Sequence, residues 1–143
     1  MPLKVGSRYY LADMMKPVLI ALLLACSPFA GRAQEITFEH RIASVDGKPC
    51  LQIKPSDAND ISFLNMDGEE LFFLKYTNSQ ITGKRYCKVI FIKQRAQLTA
   101  SNYMFTQKDL VKKLIRAGVI KDGALVDDKV ELFIAKWDER VIE

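Results

Sequence analysis

The stretch ISFLNMDGEELFFLKY, Ile61–Tyr76, decides the fold. Ile61–Met66 reads as a strand, and Asp67-Gly68 is a tight hairpin signal. Glu70–Tyr76 then returns as a second strand. Its run Leu71-Phe72-Phe73-Leu74 is too continuously apolar for an exposed strand, so it belongs at the centre of a sheet or under cover on both faces. An antiparallel sheet therefore forms around this hairpin.

The neighbouring segments extend that sheet. After a polar connection at Thr77–Gly83, Tyr86–Ile92 reads as another central strand. Its flanking Lys84, Arg85 and Lys93 oppose edge-to-edge aggregation. Upstream, Pro55–Asp60 has the composition of a loop. Ile36–Ile42 alternates with the period of two expected of a half-buried strand. Asp46-Gly47 repeats the hairpin signal, and Cys50–Ile53 is the return strand with Pro49 at its start. The expected sheet has about five strands.

Beyond residue 100 the period changes. Thr106-Gln107-Lys108-Asp109 resembles a capping box, and Phe105 and Leu110 are spaced to form a hydrophobic staple. Leu110, Val111, Leu114 and Ile115 make one apolar face, and Gly118 stands where a left-handed C-cap belongs. Asp122-Gly123 predicts a turn, after which Asp127 or Asp128 can cap a second helix. Val130, Phe133, Ile134, Trp137 and Val141 fall at helical spacing. A strand through Glu131–Ala135 is the rival for residues 129–140, because Val130, Leu132 and Ile134 also alternate. Strands followed by two C-terminal helices make an α+β domain.

The start of the chain has a different character. Lys16 precedes the apolar run Val18–Ala25, and small residues follow, in the order of an export signal. The run is far shorter than the ~20 residues needed to span a bilayer. Gly31 and Ala33 suit cleavage after Ala33, which leaves residues 34–143 as one small domain. Two rival readings stand beside this one. Leu23-Leu24-Ala25-Cys26 resembles a lipobox, in which Cys26 is lipidated and tethers the domain to a membrane. A buried helix of a soluble protein is the other. Met1, Met14 or Met15 can each serve as the start.

Setting residues 1–33 aside changes the balance of charge. The chain carries a net +4, but 17 basic and 16 acidic residues remain after residue 33. Nothing in that balance asks for nucleic acid. Cys50 and Cys87 remain as an even count, and in an oxidising compartment they are expected to pair. Such a bridge closes a loop of nearly 40 residues, worth roughly 3–4 kcal/mol in the chain-entropy picture. Two buried free thiols are the alternative.

Catalytic chemistry is constrained by one histidine. Any Cys–His or Ser–His pair must use His40, which sits in an alternating segment beside Glu39 and Arg41. No paired metal ligands of the CxxC or HxxxH kind occur. Asp57-Ala58-Asn59-Asp60 starts like a calcium loop but continues with Ile61 and Ser62. Asn65–Glu70 has suitable residue types, yet within a hairpin turn. Gly83-Lys84 is not followed by a helix, so no phosphate loop is expected. No cofactor is implied.

Two surface features remain. Lys108, Lys112, Lys113 and Arg116 form a basic helix face, with Lys121 beyond it, suited to an acidic partner, to anionic lipid or simply to solvent. The aromatics Phe63, Phe72, Phe73, Tyr76, Tyr86 and Phe91 can pack a core or line a groove, and Tyr76, Tyr86 and Tyr103 carry polar tips suited to the surface. The expectation is a small exported binding or interaction protein without an active site, periplasmic or secreted, that meets a protein or cell-envelope partner. A membrane-tethered outer-membrane lipoprotein, an inhibitor or immunity-type protein, and a small hydrolase using Cys87 with His40 are the alternatives.

Overall fold

Seven strands follow one another in an antiparallel meander, so each pairs with its neighbours in sequence. In the computed structural model they are β1 (Ile36–Glu39), β2 (Ile42–Val45), β3 (Lys48–Pro55), β4 (Asp60–Leu64), β5 (Glu70–Asn78), β6 (Arg85–Phe91) and β7 (Ala96–Ser101). Helix α1 (Gln107–Arg116), a short hairpin of β8 (Ile120–Lys121) and β9 (Ala124–Leu125), and helix α2 (Asp127–Trp137) complete the chain. The structure describes residues 34–101 and 105–143. Within them, Gln34–Glu143 form one compact unit. The export signal, Cys26 and Tyr103 lie outside the described residues.

The α+β architecture is the expected one; its main sheet has two more strands than the sequence suggested, and the β8–β9 hairpin stands apart from it. One addition comes from splitting Ile36–Ile42. His40 (φ 50°) and Arg41 (φ 61°) form a two-residue turn, with Glu39 paired to Ile42. Both central residues have positive φ, as a type I′ hairpin requires. The other addition is β7, whose Ala96, Thr99, Ala100 and Ser101 are too small to announce a strand. Leu98 and Ala100 are nevertheless fully buried. Asp46-Gly47 makes the expected tight hairpin. Asp67-Gly68 lies in a longer loop in which the Asn65 side-chain oxygen accepts from the backbone N–H groups of Asp67 and Glu69.

One face of the sheet carries the core. Leu51, Ile53, Ile61, Phe63, Phe72, Leu74, Val89, Phe91 and Leu98 pack there against residues of the helical segment, including Phe105, Leu110, Leu114, Val130 and Phe133. Phe63 stacks on Phe72 at 4.5 Å between centroids, an aromatic pair deep in that core. Two bulges enlarge it. Ala43 pairs with Leu51 while Ser44 pairs with Pro49, so Cys50 is an extra residue on β3. Leu71 is extra on β5 in the same way. Each bulge turns two consecutive residues inward, Cys50-Leu51 and Leu71-Phe72. The aromatic run of β5 divides accordingly: Phe72 is buried, and the half-buried Phe73 points to the opposite face.

The C-terminus crosses the free edge of β7. The Glu139 N–H donates to the Thr99 carbonyl at 2.8 Å. In return, the N–H groups of Thr99 and Ser101 donate to the carboxylates of Asp138 and Glu139. The strap ends with the Ser79 hydroxyl donating to the Ile142 carbonyl and an ion pair between Lys88 and Glu143. These bonds occupy backbone groups that an edge strand otherwise offers to another chain. Tyr86 shares a cleft with Val141 and Ile142 and is only 4% exposed, so it does not reach the surface as expected. Tyr76 is half-buried, with its hydroxyl donating to the Phe105 carbonyl.

Cys50 and Cys87 are separate free thiols, in place of the expected bridge. The reason is topological. Two strands lie between β3 and β6, which puts about 14 Å across the sheet. Ile53 is level with Phe72 through Phe63. Cys50 lies three positions before Ile53, and Cys87 pairs with Tyr76, four positions beyond Phe72. The offset along the strands is therefore roughly 23 Å. A disulfide tolerates no more than about 7 Å between Cα atoms.

Candidate functional site

The expected basic face of α1 divides in two. Lys108 and Lys112 lean over the Phe38 ring of β1, with their ammonium groups 5.7 and 6.0 Å from its centroid. Lys113 and Arg116 face the other way, into a groove of about 310 Å³ between α1 and α2. There they meet Lys129 and Lys136 of α2. Sequence reasoning missed these two lysines. With Leu132 they fall at i, i+3 and i+7, a signal that was present but had no meaning until α1 lay opposite.

The groove has an apolar floor. Phe105, Phe133 and Trp137 form one aromatic cluster, with centroids 6.0 to 6.4 Å apart. Trp137 is half-buried, and Leu132 stands 62% exposed at the rim. Lys113 and Lys136 hold their charges over the Trp137 ring, 5.5 and 5.3 Å from its centroid. The ring's negative face attracts them, which restrains both head groups at the groove. No carboxylate lines the groove, and among the described residues none of its four cations forms an ion pair.

Local structure explains some of these charges and leaves one unexplained. Lys113 and Arg116 lie in the last turn of α1, and Lys136 in the last turn of α2. Cations there complement the helix dipole. Lys129 is different. It follows Asp127 and Asp128 in the first turn of α2, where the dipole disfavours a cation. Its position does nothing for the helix and completes the groove.

Of three larger clefts, the one of about 530 Å³ beside Tyr86 is also lined by cations without a carboxylate, Lys84, Arg85 and Arg140, but holds no tryptophan, and the other two lack this one-signed character. One of about 700 Å³ lies between the Asp46 and Asp67 turns of the sheet and the Asp122 turn of the β8–β9 hairpin, with Cys50 in its wall. Its three carboxylates are mixed with Lys48 and Lys121. A neighbour of about 460 Å³ combines Glu69, Asp127 and Glu131 with Lys93. In both, charges of opposite sign offset one another.

The remaining candidates are scattered. Cys87 is fully buried on β6, and His40 projects from the β1–β2 turn with its side chain 88% exposed. Four strand spacings, about 19 Å, separate β2 from β6, against the ~3 Å at which a base activates a nucleophile. Burial pushes both thiols above their ordinary pKa. For Cys50 it outweighs a hydrogen bond from the Gly123 backbone, and the Asp122 charge adds to the rise. Such thiols are poor nucleophiles at neutral pH. Asp57, the first residue of the calcium-like stretch, spends its carboxylate on the N–H groups of Asn59 and Asp60. Among the described residues no three His, Cys, Asp or Glu side chains group as metal ligands. The Gly83-Lys84 turn closes on Ser79, whose carbonyl accepts from Gly83.

No protein-family model, curated protein or solved structure matches the chain.

Proposed function

We propose that this chain is an exported, non-enzymatic interaction protein, periplasmic or secreted, whose helical side holds an anionic partner of the cell envelope. The observation that carries this reading is the groove itself: Lys113, Arg116, Lys129 and Lys136 line it together with Trp137, over which two of them stand, with no carboxylate among them. A one-signed field over an apolar floor favours binding of anions that also present apolar surface. Export rests on the Val18–Ala25 run and the small residues up to Ala33.

Two measurements test the reading. Mass spectrometry of the protein recovered from outside the cytoplasm reports a chain beginning at Gln34, or a lipidated Cys26 if the domain is membrane-tethered. A full-length cytoplasmic chain sinks the export reading. Binding to polyglutamate and to anionic vesicles at low and high salt tests the groove. Retention on at least one anionic probe is expected, weakened by salt through screening. Replacing all four cations with glutamine abolishes it. Failure of every anionic probe, or undiminished binding by the variant, removes the proposal.

A further inference from the structure

We infer that the occupant of the groove is an acidic segment of another protein, which seats one aliphatic side chain on the Trp137–Phe133 floor with carboxylates on either side. This rests on the anionic-partner reading above and narrows it to one chemistry. The apolar surface lies below the cations: Phe133 is 2% exposed, and Trp137 sits under the ammonium groups of Lys113 and Lys136. A planar bilayer meets the lysines first and leaves the floor uncovered. A side chain projecting from a peptide reaches it. The volume of about 310 Å³ suits one or two side chains and excludes a folded domain.

The spacing of the cations defines the segment further. Lys129 and Lys136 are seven residues apart on α2, about 10 Å along the helix axis. An extended peptide covers that distance in three residues. Side chains alternate sides along such a peptide, so two acidic residues four apart, about 13 Å, with a leucine-like residue midway, face the groove together and match both charges and floor within the reach of the long side chains. The restrained Lys113 and Lys136 lose less freedom on binding than free lysines do, because the ring already holds them.

Trp137 is the single tryptophan of the chain, so its fluorescence reports the groove directly. The full protein as recovered from producing cells is titrated with a peptide carrying two glutamates four residues apart and a leucine midway between them. The same peptide with glycine for leucine and vesicles of phosphatidylglycerol are the comparisons. Saturable change in Trp137 emission is expected with the leucine peptide. Binding should be about tenfold weaker with the glycine peptide, from lost apolar burial. Lys113→Glu and Lys136→Glu should each weaken it, and Leu132→Gln, a surface change that spares the core, should do the same. Thermal transitions of the variants confirm that they fold. Equal affinity for the two peptides overturns this inference and leaves the anionic-partner reading in place. So does a response to vesicles alone. No response to any anionic probe overturns both.

Discussion

Helices α1 and α2 are of similar length, yet they are ended and charged in different ways. α1 is closed at both ends. The Thr106 hydroxyl accepts from the Asp109 N–H at 3.2 Å, and Phe105 and Leu110 are both fully buried, as a hydrophobic staple requires. At the other end Gly118 donates to Ile115 and Val119 to Leu114, the paired bonds of a Schellman motif. α2 is N-capped by Val126, which makes no side-chain cap bond, and not by Asp127 or Asp128 as expected. Those two acids lie within the first turn, where they still favour the dipole, and Lys129 then opposes it. α2 also leaves Leu132 in water. The difference teaches that α1 is optimised to hold the core, whereas α2 gives up local stability to present charge and apolar surface.

The contrast is broken most sharply by one leucine from each helix. Leu114→Ala, on the fully buried face of α1, is expected to cost about 2–5 kcal/mol by urea unfolding. Leu132→Ala on α2 should change stability by no more than about 0.5 kcal/mol. If the two cost the same, Leu132 is a packing residue and the contrast falls. Next in size is Gly118→Ala. Its φ of 72° disfavours any Cβ, while the space around it is open, so the cost is purely conformational, about 1–2 kcal/mol.

Val126→Thr with Lys129→Glu builds on α2 the capping box that it lacks. Stability should rise by about 1 kcal/mol, while binding of anionic probes falls. A variant that gains stability and keeps its binding separates Lys129 from the groove's function.

The smallest effect appears only in acid, just beyond the end of α2. Asp138 is partly desolvated, which alone raises its pKa. Hydrogen bonds from the Thr99 and Arg140 N–H groups and the Thr99 hydroxyl, with the Arg140 charge, outweigh this and lower it. A carboxyl depressed in the folded state stabilises above its unfolded pKa of about 3.9 and loses that contribution as pH falls through the folded value. Asp138→Asn should therefore lower the urea midpoint at pH 7, and the gap to the natural protein should close below about pH 4. An unchanged gap at pH 3 shows that the Asp138 charge does not hold the strap.

Legibility followed how local each signal was. Asp46-Gly47, the Thr106 cap and the Gly118 terminus were readable because their chemistry acts within four residues. The helical stripe Val130–Trp137 was readable too, but Val141 did not belong to it: the helix ends at Trp137, and the following residues turn into the strap on β7. The His40-Arg41 turn was hidden because neither residue is a turn former, although both adopt positive φ. Strand β7 was hidden because its small side chains gain their burial from neighbours distant in sequence. Half of the candidate site, Lys113 and Arg116, was visible as a basic face. The other half depended on the docking of α2.

The class of fold, the succession of strands before helices and the ends of α1 were written in the residues themselves. Each of these follows from hydrophobic period, turn chemistry and capping, which short stretches of chain carry intact. That Cys50 and Cys87 stand apart became visible in the folded chain alone, because the meander inserts two strands between β3 and β6. The fold alone divided the lysines of α1 between Phe38 and the groove, and set Lys129 and Lys136 opposite Lys113 and Arg116. The physical reason is common to both. Strand order and helix docking are fixed by which apolar surfaces are buried together, and that choice brings residues far apart in sequence within a few ångströms or keeps them strands apart.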